Sequence, residues 1–562
     1  MKNYVVFSLL IAVILFYQCS SEKKEVDMNA KADSLINEFV NKIKPLSKEM
    51  NLAYWNASIT GKDEDYQKSL EAELAYNKVL SDKEFFNRVK EIRESKKITD
   101  TLILRQIETI YSLMLPKQVD TSLTRQITQL QNQIEKKFST FRATFDGKNY
   151  TDNEIEEILK TSTDNKKLEK AWTAVKEVGK LVAEDIINLA KLRNRVAKSL
   201  GYNNYHEMKL LLDEQDPAEI EKIFDELDSL TKEIFKNLKT QVDEKLSVRY
   251  KVKKEDLMPW HYQNRFFQEA PAIYNIDLDK YYKNQNIEKL TSDFYSSIDM
   301  DISDILKRSD LYEKPGKNQH AYCTDIDNEG DIRILCNIRP NNQWMSTMLH
   351  EFGHGVYDKY IDMKVPYLLR EPAHTFTTEA VAMLMGRLST NGEWMKAMKI
   401  IDEKEANVVN EEGFKMLRLE QLVFSRWAQV MYRFEKAMYE NPEQDLNALW
   451  WNLVEKYQMI KKPKDRNMPD WATKIHIATS PCYYHNYLLG ELLASQFNAY
   501  IVKNILKSDN YKTPNYVGNK EIGQFLIEKV FKPGRKYHWN TMIEKATGEK
   551  LTAKYYALQF IE

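Results

Sequence analysis

Gln343-Trp344-Met345-Ser346-Thr347-Met348-Leu349-His350-Glu351-Phe352-Gly353-His354 is the stretch on which the reading of this chain turns. Trp344, Met345, Met348, Leu349 and Phe352 supply one apolar side of a helix. On such a helix His350 and His354 stand one turn apart on a common face, so both imidazoles can reach one ion. Glu351 adjoins the first histidine and can take the proton of a water on that ion, which is the arrangement of a zinc-dependent protease. The competing reading is a buried helix that carries the pattern by coincidence. A catalytic zinc takes three protein ligands and leaves one position to water, so a third ligand lies elsewhere. Glu371 and Glu379 are the downstream candidates. Glu371 precedes Pro372, which disfavours helix there. Glu379 falls in Thr377-Thr378-Glu379-Ala380-Val381-Ala382-Met383-Leu384-Met385, a helix start. A second helix packed on the first would aim Glu379 at the metal, making His350, His354 and Glu379 the ligands of one Zn2+ per chain. His374 is a further candidate, as a ligand or as a substrate contact.

The rest of the chain reads as a helical host for this site. Its 562 residues are 43% hydrophobic and 29% charged, which is room for a large core. The 82 basic and 83 acidic residues nearly cancel, so nothing provides the basic footprint that nucleic acid requires. With only 16 glycines and 15 prolines, few breakers interrupt helices. Leu35, Ile36, Phe39 and Val40 recur at three- and four-residue spacing, as do Leu189, Leu192, Val196 and Leu200, so helices are expected from about residue 30 to 240. Residues 254–271 are rich in aromatics, and 314–339 are the least helical. There Asp331-Ile332-Arg333-Ile334 predicts a short strand or hairpin, and a strand beside such a zinc site can hold an extended substrate along its edge. Trp450 and Trp451 are expected in the core. No repeat or Gly/Ser linker divides the chain, so residues 31–562 are expected to form one mainly α catalytic domain. Its expected form is two helical lobes around a deep central cleft, with a small β element near the zinc.

The first residues read as a targeting segment. Lys2 is followed by an apolar run from Val5 to Phe16, too short to span a membrane comfortably, and the run closes on Tyr17-Gln18-Cys19 before a polar stretch. This resembles a bacterial lipoprotein signal. Residues 1–18 would be the signal peptide, Cys19 the lipidated residue that anchors the protein to the membrane, and 19–30 a flexible tether. Gln18 departs from the small residue usual before that cysteine, and an ordinary exported protein or a short uncleaved anchor is the alternative. Each version exports the protein, and the lipoprotein version puts it in the bacterial cell envelope. Outside the cytoplasm a disulfide is permitted. Cys323 and Cys336 flank a short Asp- and Gly-bearing stretch and are the expected pair, with Cys482 left over. Three free buried thiols are the alternative.

Several segments resemble the peptidyl-dipeptidase A family, the angiotensin-converting enzyme and its bacterial relatives. They are Tyr54-Trp55-Asn56-Ala57-Ser58, Asp331 to Cys336, Leu369-Arg370-Glu371, Phe376-Thr377-Thr378-Glu379-Ala380, Leu449 to Gln458 and Lys474-Ile475-His476-Ile477. The resemblance implies that His476 donates a hydrogen bond to the oxyanion and Lys474 binds the C-terminal carboxylate of the substrate. It also implies two tyrosines in the next helix, one on that carboxylate and one on the oxyanion. Tyr484 and Tyr487 fit these roles if one residue is inserted after His476; otherwise Tyr483 and Asn486 fall there. A cation with a phenol suits a carboxylate, and an imidazole with a phenol suits an oxyanion. The chain also departs from the family. Thr378 stands where a histidine is usual, Met383 where an acid would orient a ligand histidine, and Cys323-Thr324-Asp325 where a Cys-His-Ala stretch contacts substrate. The chloride-binding arginine falls at His485 or Asn486, which implies no chloride activation. The carboxylate-binding glutamine corresponds to Gln263.

The resulting expectation is an exported zinc metallopeptidase that releases C-terminal dipeptides from short peptides. An oligoendopeptidase of the thimet oligopeptidase or oligoendopeptidase F type shares the His-Glu-Phe-Gly-His motif and is the alternative. A zinc-containing lipoprotein that binds peptides without cutting them is a third reading.

Overall fold

Asp27 begins the fold. Its carboxylate accepts hydrogen bonds from the backbone amides of Asn29 and Ala30 and so caps α1 (Met28–Thr60). The computed structural model of the protein describes residues 27–274 and 276–561. The signal segment and Cys19 lie outside these. The cap starts the helix before residue 30, so the expected tether ends earlier than the sequence reading placed it. Leu35, Ile36 and Phe39 are buried, as their spacing predicts.

The chain is 69% helical with two small hairpins, which makes it mainly α. One hairpin interrupts the run in which only helices were expected. Asp146 and Gly147 both have positive φ (50° and 72°), and they turn β1 (Ala143–Phe145) into β2 (Lys148–Tyr150). An Asp-Gly pair favours this two-residue turn because both positions need positive φ. Beyond it, α2 (Val178–Ser199) buries Leu189 and Val196.

The second hairpin is the expected β element beside the site. β3 (Tyr322–Asp325) pairs antiparallel with β4 (Ile332–Leu335), with Cys323 opposite Ile334. This register corrects the cysteine expectation. Cys336 lies two residues beyond the partner of Cys323, so the two meet only diagonally. Diagonal neighbours sit about 7–8 Å apart, whereas a disulfide needs Cβ atoms within roughly 4.5 Å. Cys323, Cys336 and Cys482 are free thiols.

Asn341 accepts a hydrogen bond from the Trp344 amide at 2.9 Å and starts α3 (Asn342–Lys359). Met345, Met348, Leu349, Phe352 and Val356 on its apolar side are fully buried. His374 caps α4 (Thr375–Gly386), its Nδ1 accepting from the Phe376 amide. α5 (Phe414–Glu440) and α6 (His485–Tyr500) complete the surroundings of the site. One apolar cluster runs from Ile134 to Phe560 and includes Trp450 and Trp451, and a smaller one joins α1 to Phe85, Ile107 and Ile110. Among the described residues no helix is long and apolar enough to cross a membrane.

α3 and α4 cross at Gly353. A Cβ there would lie 2.8 Å from the Cα of Ala382, so only glycine admits this backbone approach. Gly353→Ala is therefore expected to force the helices apart and destabilise the protein by about 1–3 kcal/mol. A lowered unfolding midpoint together with weakened zinc binding, measured on the same preparation, is the expected result.

Candidate active site

The crossing of α3 and α4 brings His350, His354 and Glu379 together, with one ligand atom from each lying within 4.8 Å of the others. The Nε2 atoms of the two histidines are 3.2 Å apart, and Glu379 Oε2 lies 3.6 Å from that of His350 and 3.9 Å from that of His354. Ligand atoms held tetrahedrally at about 2.0–2.1 Å from a zinc ion lie roughly 3.3–3.4 Å apart, so this triangle fits the ion with little adjustment. Burial lowers the His350 pKa to about 4 and that of His354 well below the usual value, which leaves both imidazoles neutral with a lone pair to give. Burial first, and then the charge of Glu379, raises Glu351 to about 8; burial and then Glu491 raise Glu379 to about 7. A divalent cation among these carboxyls reverses that penalty and favours their ionised forms. The donor set therefore fits zinc. Glu371 stays outside it, paired with Arg535 at 3.4 Å, and His374 turns its Nε2 to the backbone oxygen of Asp213 at 2.9 Å.

The first of the two departures around the ligands has a local substitute. Thr378 Oγ1 lies 2.7 Å from His354 Nδ1. With Nε2 facing the metal position, Nδ1–H donates to this hydroxyl and fixes the ring. Met383 supplies no acid; its sulfur rests beside Gly490 of α6. The next residue on α6, Glu491, brings a carboxylate near the ligands. It is paired with Arg387 and its field acts on both His350 and Glu379. Sequence reasoning missed Glu491, because the spacing of residues along α4 cannot reveal an acid carried on α6.

The other expected groups gather on the segment that precedes and enters α6. Lys474 is 7% exposed, and its Nζ donates to Gln268 Oε1 at 2.6 Å. It lies 5.3–5.4 Å from the rings of Phe266, Trp427 and Tyr484. Burial lowers its pKa to about 8. Gln268, not Gln263, is thus the glutamine beside the lysine; Gln263 points inward and its Oε1 accepts from the Ala272 amide at 2.9 Å. The His476 ring is 5.5 Å from that of Tyr484, which is 5.5 Å from that of Tyr487. Burial, helped by Lys474, lowers His476 to about 4, so its ring is neutral; its Nδ1 finds no partner among the described residues. Tyr483 and Tyr487 both sense the charge of Glu379.

Asn486 is turned away from these groups. Gln215 donates to it at 2.7 Å and lies 2.7 Å from His485, which makes a neutral trio. Tyr484 thus stands next to Lys474 and His476, and Tyr487 stands next to Tyr484 and Tyr483. A cavity of about 780 Å³ opens at Lys474 and His476, lined also by Gln268, Arg265 and Lys176 among others.

The sequence profile of the angiotensin-converting enzyme family matches residues 26–560. The angiotensin-converting enzyme of Theromyzon tessulatum is 23% identical over 540 residues, 86% of each chain. That of Haematobia irritans exigua is 24% identical over 455 residues, 73% of this chain and 72% of its own. That of Mesocricetus auratus is 22% identical over 540 residues, 89% of this chain and 40% of its own. Because the match extends from the first capped helix to the end of the fold, far beyond a shared five-residue motif, the chain belongs to the angiotensin-converting enzyme family and is a zinc metallopeptidase.

Proposed function

We propose that the protein removes dipeptides from the C-terminus of short, unstructured peptides, using one zinc ion per chain. The observation that carries this reading is Lys474. It is a buried cation whose hydrogen-bond partner is the neutral amide of Gln268, enclosed by aromatic rings on the cavity that also exposes His476. Such a group is poised for a carboxylate brought by a ligand, and a free peptide C-terminus supplies one. The family match favours this over the oligoendopeptidase alternative, which finds no support in these likenesses.

The residues divide the work. His350, His354 and Glu379 would hold the zinc, which would supply Lewis acidity to the scissile carbonyl and to a water. Glu351 takes the proton from the attacking water and returns it to the leaving amine. His476 and Tyr487 donate hydrogen bonds to the carbonyl oxygen as its charge grows. Lys474, Tyr484 and Gln268 hold the terminal carboxylate and so set how many residues leave. Among the described residues β3 has β4 as its only strand partner, and its other edge is suited to an extended peptide. A lipid anchor on Cys19 would hold this activity on the membrane of the cell envelope, facing exported peptides.

Glu351→Gln is expected to lower kcat by at least about 100-fold while metal analysis still finds one zinc per chain. Unchanged hydrolysis in that variant would instead point to a peptide-binding protein, or to catalysis elsewhere.

Lys474 is charged below about pH 8 and loses its proton above it. For free-acid peptides kcat/KM is therefore expected to fall as pH rises through about 8. Lys474→Met should lower it about 10- to 100-fold at pH 7 and abolish that fall. Peptides amidated at the C-terminus should resist cleavage, and efficient internal cutting of the amides, mapped by mass spectrometry, counts against the dipeptidase reading. Cys19→Ala is expected to move the protein from the membrane fraction to the soluble one.

A further inference from the structure

The segment that carries His476 is short and irregular. His476–Thr479 forms a single helical turn, and the chain then passes through Cys482, whose φ is +57°, before α6 begins. The last carbonyls of so short a turn have no partner of their own. Two buried ionisable side chains, one on α2 and one on α5, take up the loose backbone groups. Arg193 of α2 is 4% exposed; its Nη2 donates to the Ala478 carbonyl at 2.6 Å and to Gln131 Oε1 at 3.1 Å. Its Nη1 donates to the Ile477 carbonyl at 3.4 Å and to the Tyr439 hydroxyl at 3.2 Å. Glu435 of α5 is 3% exposed, and its Oε1 accepts the Cys482 amide at 3.0 Å. The backbone is thus gripped at residues 477, 478 and 482, between His476 on one side and Tyr484 and Tyr487 on the other.

We infer that Arg193 and Glu435 are positioning residues, a clamp that holds the His476 loop so that the oxyanion donors meet the scissile carbonyl. The inference rests on the peptidase reading above. Only a guanidinium can reach two successive carbonyls and two side chains in one plane; an ammonium offers its donors from a single point. Glu435 acts as an acceptor, and burial pushes its carboxyl up to about 8, so its role does not depend on charge. An amide carbonyl at the same place can do the same.

Kinetics on a free-acid peptide with the full-length protein separate this role from plain stabilisation. All variants are assayed well below their unfolding midpoints, with zinc content measured. Glu435→Leu and Arg193→Lys are expected to lower kcat about tenfold or more, with KM within about threefold and one zinc per chain, because misplaced donors weaken only the transition state. Glu435→Gln should restore kcat. If Arg193→Lys fails to fold, the Glu435 pair carries the test. Wild-type kcat in Glu435→Leu, or a kcat in Glu435→Gln as low as in Glu435→Leu, overturns the clamp alone. A wild-type protein that cuts no peptide overturns the peptidase reading, and the clamp with it.

Discussion

Everything at the site depends on how closely three helix backbones approach one another. α3 meets α4 at Gly353, and α6 meets α4 at Gly490, where a Cβ would lie 3.2 Å from Glu379 Cβ. A larger residue at either place separates the backbones that carry the ligands. Metal ligands tolerate displacements of only a few tenths of an ångström, so packing and chemistry cannot be treated apart here. Gly353, in the middle of the histidine motif, therefore has a steric task as definite as the chemical task of its neighbours.

Charge is arranged in two poles. The metal end concentrates Glu351, Glu379 and Glu491, and burial raises the first two. The other end offers Lys474, held by a neutral amide and aromatic faces and lowered by burial. At the metal end Arg387 balances Glu491, while Glu351 and Glu379 have no such cation beside them in the described residues. Between the two poles stand neutral donors, His476 and the tyrosines, which can meet developing charge without adding any before the reaction starts.

The family pattern has been altered at three places around the site. Thr378 orients His354 through a hydroxyl. The acid absent at Met383 has a counterpart one helix away in Glu491, balanced by Arg387. At His485 and Asn486 a hydrogen-bonded trio with Gln215 fills the space without charge. Only at Thr378 is the orienting contact itself kept; at the other two places the local charge is rearranged, which is consistent with identities near 23% across so much of the chain.

Local periodicity was enough to make the helical class, the faces of α1, α2 and α3, and the paired histidines legible, because side-chain direction along a helix follows from spacing alone. The choice of Glu379 over Glu371 was also legible, since proline restricts the residue before it. The Asp-Gly turn of the first hairpin carried its signal in two residues, but helical patterning on both sides obscured it. Other features were decided only by the tertiary structure. Gln268 rather than Gln263 faces Lys474, Glu491 stands behind the metal site, and Arg193 and Glu435 reach the His476 loop from α2 and α5. The strand register keeps Cys323 and Cys336 apart. All of these depend on which residues meet after distant segments pack, and a one-residue change of register or helix phase reverses them. Spacing along the chain determines what one element can present, and only the packing of elements against one another decides what it meets.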